Sequence, residues 1–198
     1  MARTAGRSRT SRADVIQALI DVFRRCGYDG ATLSSISEAT GLGRASLYHH
    51  FPGGKQEMAT AVLTDVGTMF GQMVLGPLRQ SGSPLERLMG MSQGLVAFYG
   101  GGEKACLIGV FALADAGGVF RELIAQKLQG WIGAVAAVLE EAGLDPALAR
   151  DRAEESAIAV QGSLILARGL GDGSAFMRVV EQLPDRLLAP APELSHSP

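Results

Sequence analysis

The run Leu47-Tyr48-His49-His50-Phe51, followed after Pro52-Gly53-Gly54 by Lys55, holds much of the chain's potential chemistry. Two of the three histidines stand side by side there. A shared metal ion is a poor fit, because neighbours on a helix project about 100° apart. His196 lies in the far tail, and no carboxylate stands four residues from His49. General acid–base work needs a nucleophile or a paired carboxylate nearby, and no such partner stands out. Cys26 and Cys106 are far apart within apolar helical patterns, which points to reduced, buried thiols rather than a disulfide framework. No cofactor or metal is expected, and no catalytic set. What remains is a surface of hydrogen-bonding side chains.

Charge distribution favours that reading. The formal net charge is −2. Through Lys55 the chain has eight basic and four acidic residues, a balance of +4, and the remainder carries −6. A basic N-terminal quarter on an acidic body suits contact with a polyanion.

The elements that must hold these residues read as helices throughout. Hydrophobic residues make up 47% and charged residues 19% of 198 residues, and helical spacing recurs without β-type alternation. The class is all-α, with about nine helices. Val15, Ile16, Leu19, Ile20 and Phe23 set the first, which stops at Gly27. A short helix over 33–40 follows Thr32 and buries Leu33, Ile36 and Ala39; another covers 44–51. Longer helices are expected at about 55–75, 85–99, 119–142, 147–170 and 174–188, with a short one at 104–114. Residues 1–10 form a basic arm, either solvated or reaching phosphates or a minor groove, and 189–198 a disordered tail. No uncharged run approaches the ~18 apolar residues of a membrane span, and the polar start is no secretory signal, so a cytoplasmic location is expected.

Two short helices joined through a glycine turn form a helix-turn-helix candidate, whose second helix enters a DNA major groove. Projected at about 100° per residue, Leu47 and Phe51 face inward. Ala45, Ser46 and His49 face outward, with Tyr48 and His50 on the flanks, although Tyr48 could also serve as ordinary core. Arg44 opens the helix, and Lys55 opens the next, whose N-terminus favours a phosphate.

The stretch TLSSISEATGLGRASLYHHFPGGK resembles the DNA-binding head of the TetR family of bacterial transcriptional regulators. The matching features are Thr32, the turn at Thr40-Gly41, Leu47-Tyr48-His49-His50-Phe51 and Lys55. Thr40 stands where alanine is usual, and PGGK carries one residue more than the common P-x-K. That longer form, with Cys106-Leu-Ile-Gly, is similar to the LmrA/YxaF-like branch. The resemblance implies phosphate contacts from Thr32, Tyr48, His50 and Lys55, and base-facing positions for Arg44, Ala45, Ser46 and His49. Thr32 could equally be only a helix cap. The implied organisation is a DNA-binding unit over 11–56 and a ligand-binding and dimerisation unit over 57–188.

The later helices are poor in charge, and helices apolar most of the way round bury several faces. Met89, Leu95, Phe98, Tyr99, Cys106, Phe111, Trp131, Val135 and Gln161 mix bulk with polar handles, a composition shared by small-molecule pockets and plain core. The resemblance implies a cavity among these middle helices. It also implies a dimer interface from the last two, with Ala157, Val160, Leu164, Ala167, Phe176, Val179, Val180 and Leu183. The implied protein is a homodimer on operator DNA, most simply a repressor released by an apolar or amphipathic effector. The alternatives are a thiol switch at Cys26 or Cys106, and a helical small-molecule-binding protein without DNA binding.

Overall fold

The computed structural model describes residues 11–113 and 118–190. The basic arm, most of the tail and His196 lie outside the described residues. Among the described residues the fold comprises nine α-helices and no strand. They are α1 (Arg12–Gly30), α2 (Leu33–Thr40), α3 (Arg44–His50), α4 (Gly54–Met73), α5 (Pro84–Tyr99), α6 (Leu107–Leu113), α7 (Arg121–Glu141), α8 (Pro146–Leu170) and α9 (Ser174–Leu188), with 3-10 turns at Pro77–Arg79 and Gly100–Gly102.

Local chemistry sets the boundaries. Ser11, Thr32 and Ser83 each cap a helix by accepting from the backbone N–H three residues on, and the residue there returns the bond. Asp145 caps α8 ahead of Pro146, whose missing N–H costs nothing in a first turn. The helical geometry of α1 breaks at Gly27, the expected stop, where φ is 67°, and a further helical stretch continues to Gly30.

One continuous core runs from Val15 in α1 to Leu187 in α9. α1 packs on α2 and α4, α7 on α8, and α8 on α9. The end of α1 meets the later helices through an aromatic cluster. Phe23 and Phe111 have ring centroids 5.4 Å apart, Tyr28 and Phe120 5.0 Å, and Phe111 and Phe120 5.2 Å. α4 is the other link: Met58, Ala59 and Val62 are buried near its start, and its later turns reach the middle of the body. No single described helix is long and apolar enough to cross a membrane.

Candidate nucleic-acid interface and interior cavity

α3 is held by its anchors and free elsewhere. Leu47 and Phe51 are fully buried, while Arg44, Ala45, Ser46, Tyr48 and His49 are exposed and His50 is half-buried. Tyr48 is 45% exposed with its ring against Gly54, so it is not core. The turn before α3 depends on Gly41, whose φ of 66° is one that L side chains rarely adopt. Thr40 explains its own departure from alanine: its hydroxyl donates to the Ile36 carbonyl at 2.8 Å and accepts from the Leu42 amide at 3.3 Å. Ser37 adds a hydroxyl bond to the Leu42 carbonyl. The turn that aims α3 is therefore stitched by side chains. Ile36 is the buried residue of α2; Leu33 is half-buried and Ala39 exposed, contrary to the expected inward set.

Two of the expected phosphate-contacting groups are engaged locally. The Thr32 hydroxyl accepts from the Ser35 amide at 3.1 Å, so it acts as the α2 cap. Lys55 Nζ donates to the Tyr28 carbonyl at 3.0 Å and sits 4.5 Å from the Tyr28 ring centroid. It thus bolts the start of α4 to the end of α1. His49 and His50 lie edge to face, 5.8 Å between centroids, and no metal-holding cluster occurs among the described residues.

A cavity of about 250 Å³ opens among the end of α1 and helices α4 to α8. Phe98, Tyr99, Cys106, Trp131 and Gln161 line it, as do Arg24, Val66, Phe70 and Lys127, which sequence reasoning missed. A signal for the two cations was present. Arg24 continues the Ile16–Ile20 spacing, and Lys127 stands three after Ile124 and four before Trp131, so each is a charge on an apolar stripe. Four expected lining residues lie elsewhere. Met89 is 47% exposed, Leu95 and Val135 are fully buried core, and Phe111 belongs to the aromatic cluster with Phe23, Tyr28 and Phe120.

Inside the cavity wall the Tyr99 hydroxyl and Gln161 Nε2 both donate to Cys106 Sγ, each at 3.4 Å. Burial, and then the neighbouring Cys106, push the Tyr99 hydroxyl well above its usual range, so it stays a neutral donor. The thiols are not both buried as expected: Cys106 is half-buried and Cys26 exposed. Cys26 directly precedes Gly27, where the helical geometry breaks.

The expected interface residues of α8 and α9 are largely taken up inside the protomer. Ala157, Val160, Leu164, Ala167, Phe176, Val180 and Leu183 are buried within the protomer, and Val179 is half-buried. They form the seam between α8 and α9, which the short connection over 171–173 brings together. The outward face of α8 instead carries Ile158, Ile165, Leu166 and Leu170, between 54% and 72% exposed.

Comparison with known proteins agrees with this architecture at both ends of the chain. Residues 15–62 match the family of bacterial regulatory proteins called tetR, and residues 84–182 match the C-terminal domain of LmrA/YxaF-like transcriptional regulators. The HTH-type transcriptional regulator LmrA of Bacillus subtilis is 22% identical over 181 residues, covering 89% of this chain and 96% of the relative. The HTH-type transcriptional regulator YxaF of the same organism is 23% identical over 178 residues, covering 88% and 93%. A TetR regulator from Legionella pneumophila superposes with a TM-score of 0.76 at 22% identity, covering 92% of this chain and 98% of that one. The TetR-family regulator CifR, solved with 26-bp double-strand operator DNA, has a TM-score of 0.75 at 21% identity, covering 91% and 98%. With the capped turn, the anchored outward helix and the all-helical body, these matches lead to one conclusion: the chain belongs to the TetR family, in its LmrA/YxaF-like branch, and is a DNA-binding transcriptional regulator, not an enzyme.

Proposed function

We propose that the protein is a homodimeric repressor that binds a near-palindromic operator and is released when a small apolar or amphipathic molecule enters the interior cavity. The observation that carries the reading is α3, pinned by Leu47 and Phe51 with Arg44, Ala45, Ser46, Tyr48 and His49 left open to solvent. Arg44 and Ser46 suit base edges, whereas Tyr48, His50 and the N-terminus of α4 suit phosphates. Lys55 joins them by turning away from Tyr28 or by sharing its remaining protons.

Two copies are required, because a near-palindrome is read by recognition helices about one DNA turn apart, or a multiple of it. The outward face of α8 offers the contact. Ile158, Gly162, Ile165, Leu166 and Leu170 make one stripe, with Gly162 allowing close helix approach. The domain division is an N-terminal DNA-binding unit over 11–56 and a body over 57–188.

Release needs a ligand that binds the DNA-incompetent arrangement more tightly than the competent one. α4 is the lever in this scheme. Val66, Gly67, Phe70 and Gly71 line the cavity, and at 1.5 Å per residue they stand about 17 to 24 Å along the helix from Lys55. The test is binding of the purified protein to intergenic DNA beside its own gene at several salt concentrations. Specific, salt-dependent retardation by a dimer, reversed by a cavity ligand, is expected. Failure to select any preferred duplex from random DNA would overturn the repressor reading.

A further inference from the structure

The interior cavity has a charge pattern that an uncharged ligand leaves unused. Arg24 from α1 and Lys127 from α7 both line it, both half-buried. No carboxylate lines it, and neither cation forms a salt bridge among the described residues. Asp65 on the adjoining turn of α4 accepts from Gln17 instead. Arg24 Nε and the Trp131 indole Nε1 are buried without hydrogen-bond partners among the described residues.

Two adjoining clefts repeat the pattern. One adds Arg25 and Arg168 and the other adds Lys104; Arg24 lines both, and neither is lined by Asp or Glu. The segment after Lys55 carries a net charge of −6, so this absence of acid is local to the cavities. Arg24 Nε, buried without a partner among the described residues, is unfavourable until an acceptor arrives.

We propose that the cavity takes a small amphipathic anion, an aryl or alkyl carboxylate, with its charged end on Arg24 and Lys127 and its apolar part against Phe70, Phe98 and Trp131. This deepens the effector reading above and rests on it. A guanidinium suits a carboxylate because two parallel N–H groups match its two oxygens. The lining also has an aromatic part: Phe70 meets Phe98 and Trp131 edge to face, each at 5.3 Å between centroids. At about 30 Å³ per heavy atom, the share of a liquid water molecule, 250 Å³ holds on the order of ten non-hydrogen atoms, about one ring and its acid group.

Lys127 is also given a lane to the site. A Cβ at Gly67 would lie 2.7 Å from Lys127 Cε, so the glycine leaves the groove in α4 that the lysine stem occupies. Arg24 brings a functional consequence, since it stands on the helix against which α2 and α4 pack. The ligand's charge therefore pulls directly on the N-terminal helices as well as through α4.

Trp131 is the chain's one tryptophan and lines the cavity, so intrinsic fluorescence of the full chain reports occupancy. The probes are acids and their neutral amides: benzoate with benzamide, phenylacetate with phenylacetamide, and octanoate with octanamide, all at neutral pH. At least one acid is expected to bind tenfold or more tightly than its amide. Arg24→Gln should reduce that ratio to about one, and Lys127→Met should reduce it by a smaller factor. Amides binding as well as acids, an acid preference surviving in both variants, or no saturable change with any acid would each overturn the proposal. Operator binding by the unliganded protein is measured in parallel. Loss of DNA binding with acid preference intact removes the repressor reading alone, and the reverse removes only the anionic ligand.

Discussion

α3 and α8 each present a face that their own protomer leaves uncovered, and the two faces are opposite in kind. α3 exposes Arg44, Ser46, Tyr48 and His49, whereas α8 exposes Ile158, Ile165, Leu166 and Leu170. The first is built from hydrogen-bonding groups of the kind that suit phosphates and base edges. The second is an apolar stripe whose exposure is costly until it meets something equally apolar, most simply its own copy. In the proposed function one helix meets a polyanion and the other its own copy, and the two needs coincide on a two-fold-symmetric operator.

The strongest attack on that pairing is a charge on the α8 stripe. Ile165→Glu places a carboxylate where the dimer contact would desolvate it, and is expected to give monomers in sedimentation velocity. Operator affinity should fall on the order of a hundredfold, because one half-site contact is lost. Val160→Ala, five residues earlier on the inner face, is the contrast. It should lower stability by about 2 kcal/mol through a core cavity and leave the dimer intact. If Ile165→Glu remains dimeric, α8's outer face is not the interface.

On the other helix, Arg44→Ala should weaken operator binding by about 1–3 kcal/mol and relax discrimination at one base position per half-site. A competition assay with single-base operator variants reads both. Uniform weakening at every position would turn Arg44 into a phosphate contact and soften the distinction drawn for α3. Gly94→Ala separates the body from either face. A Cβ there would meet the Met73 carbonyl oxygen at 2.1 Å, so α5 would have to retreat from the end of α4. Thermal unfolding should show a loss of at least about 1 kcal/mol from overpacking. Dimerisation should be unchanged. A neutral result would mean that the seam between α4 and α5 yields easily.

The same contrast explains what could be read from the sequence. α3 is short and pinned by two residues four apart, so helical geometry alone sets which side chains face out, and Leu47, Phe51, Ala45, Ser46 and His49 fall where the projection puts them. The helix count, the glycine and proline stops and the charge asymmetry were legible for similarly local reasons. The cavity and the α8–α9 seam depend on which neighbour each apolar face meets. Val160 and Leu164 belong to an apolar stripe of α8 that packs on α9 of the same chain. Met89, expected to line the pocket, stands off the Leu88–Met91–Leu95 line and points outward. Arg24 and Lys127 were informative as charges on apolar stripes, a clue that has meaning only once a void lies beside them.

Lys55 gives the smallest expected effect and the finest discrimination, because it lies between the two kinds of surface. Its ammonium reaches the Tyr28 carbonyl and ring at the end of α1, yet it also stands in the first turn of α4, where a phosphate would be welcome. Lys55→Met keeps the stem and removes the charge. If the lysine turns out to DNA, affinity should fall about equally for all sequences and the slope of log affinity against log salt should shrink by about one. If it stays on Tyr28, the slope should hold and only stability should fall, by about 1 kcal/mol for a lost, partly exposed charged hydrogen bond. Both changes together would mean that the ammonium leaves Tyr28 on binding. In that case operator contact and the seam with Phe111 and Phe120 draw on one group, and the N-terminal helices loosen from the body as they dock.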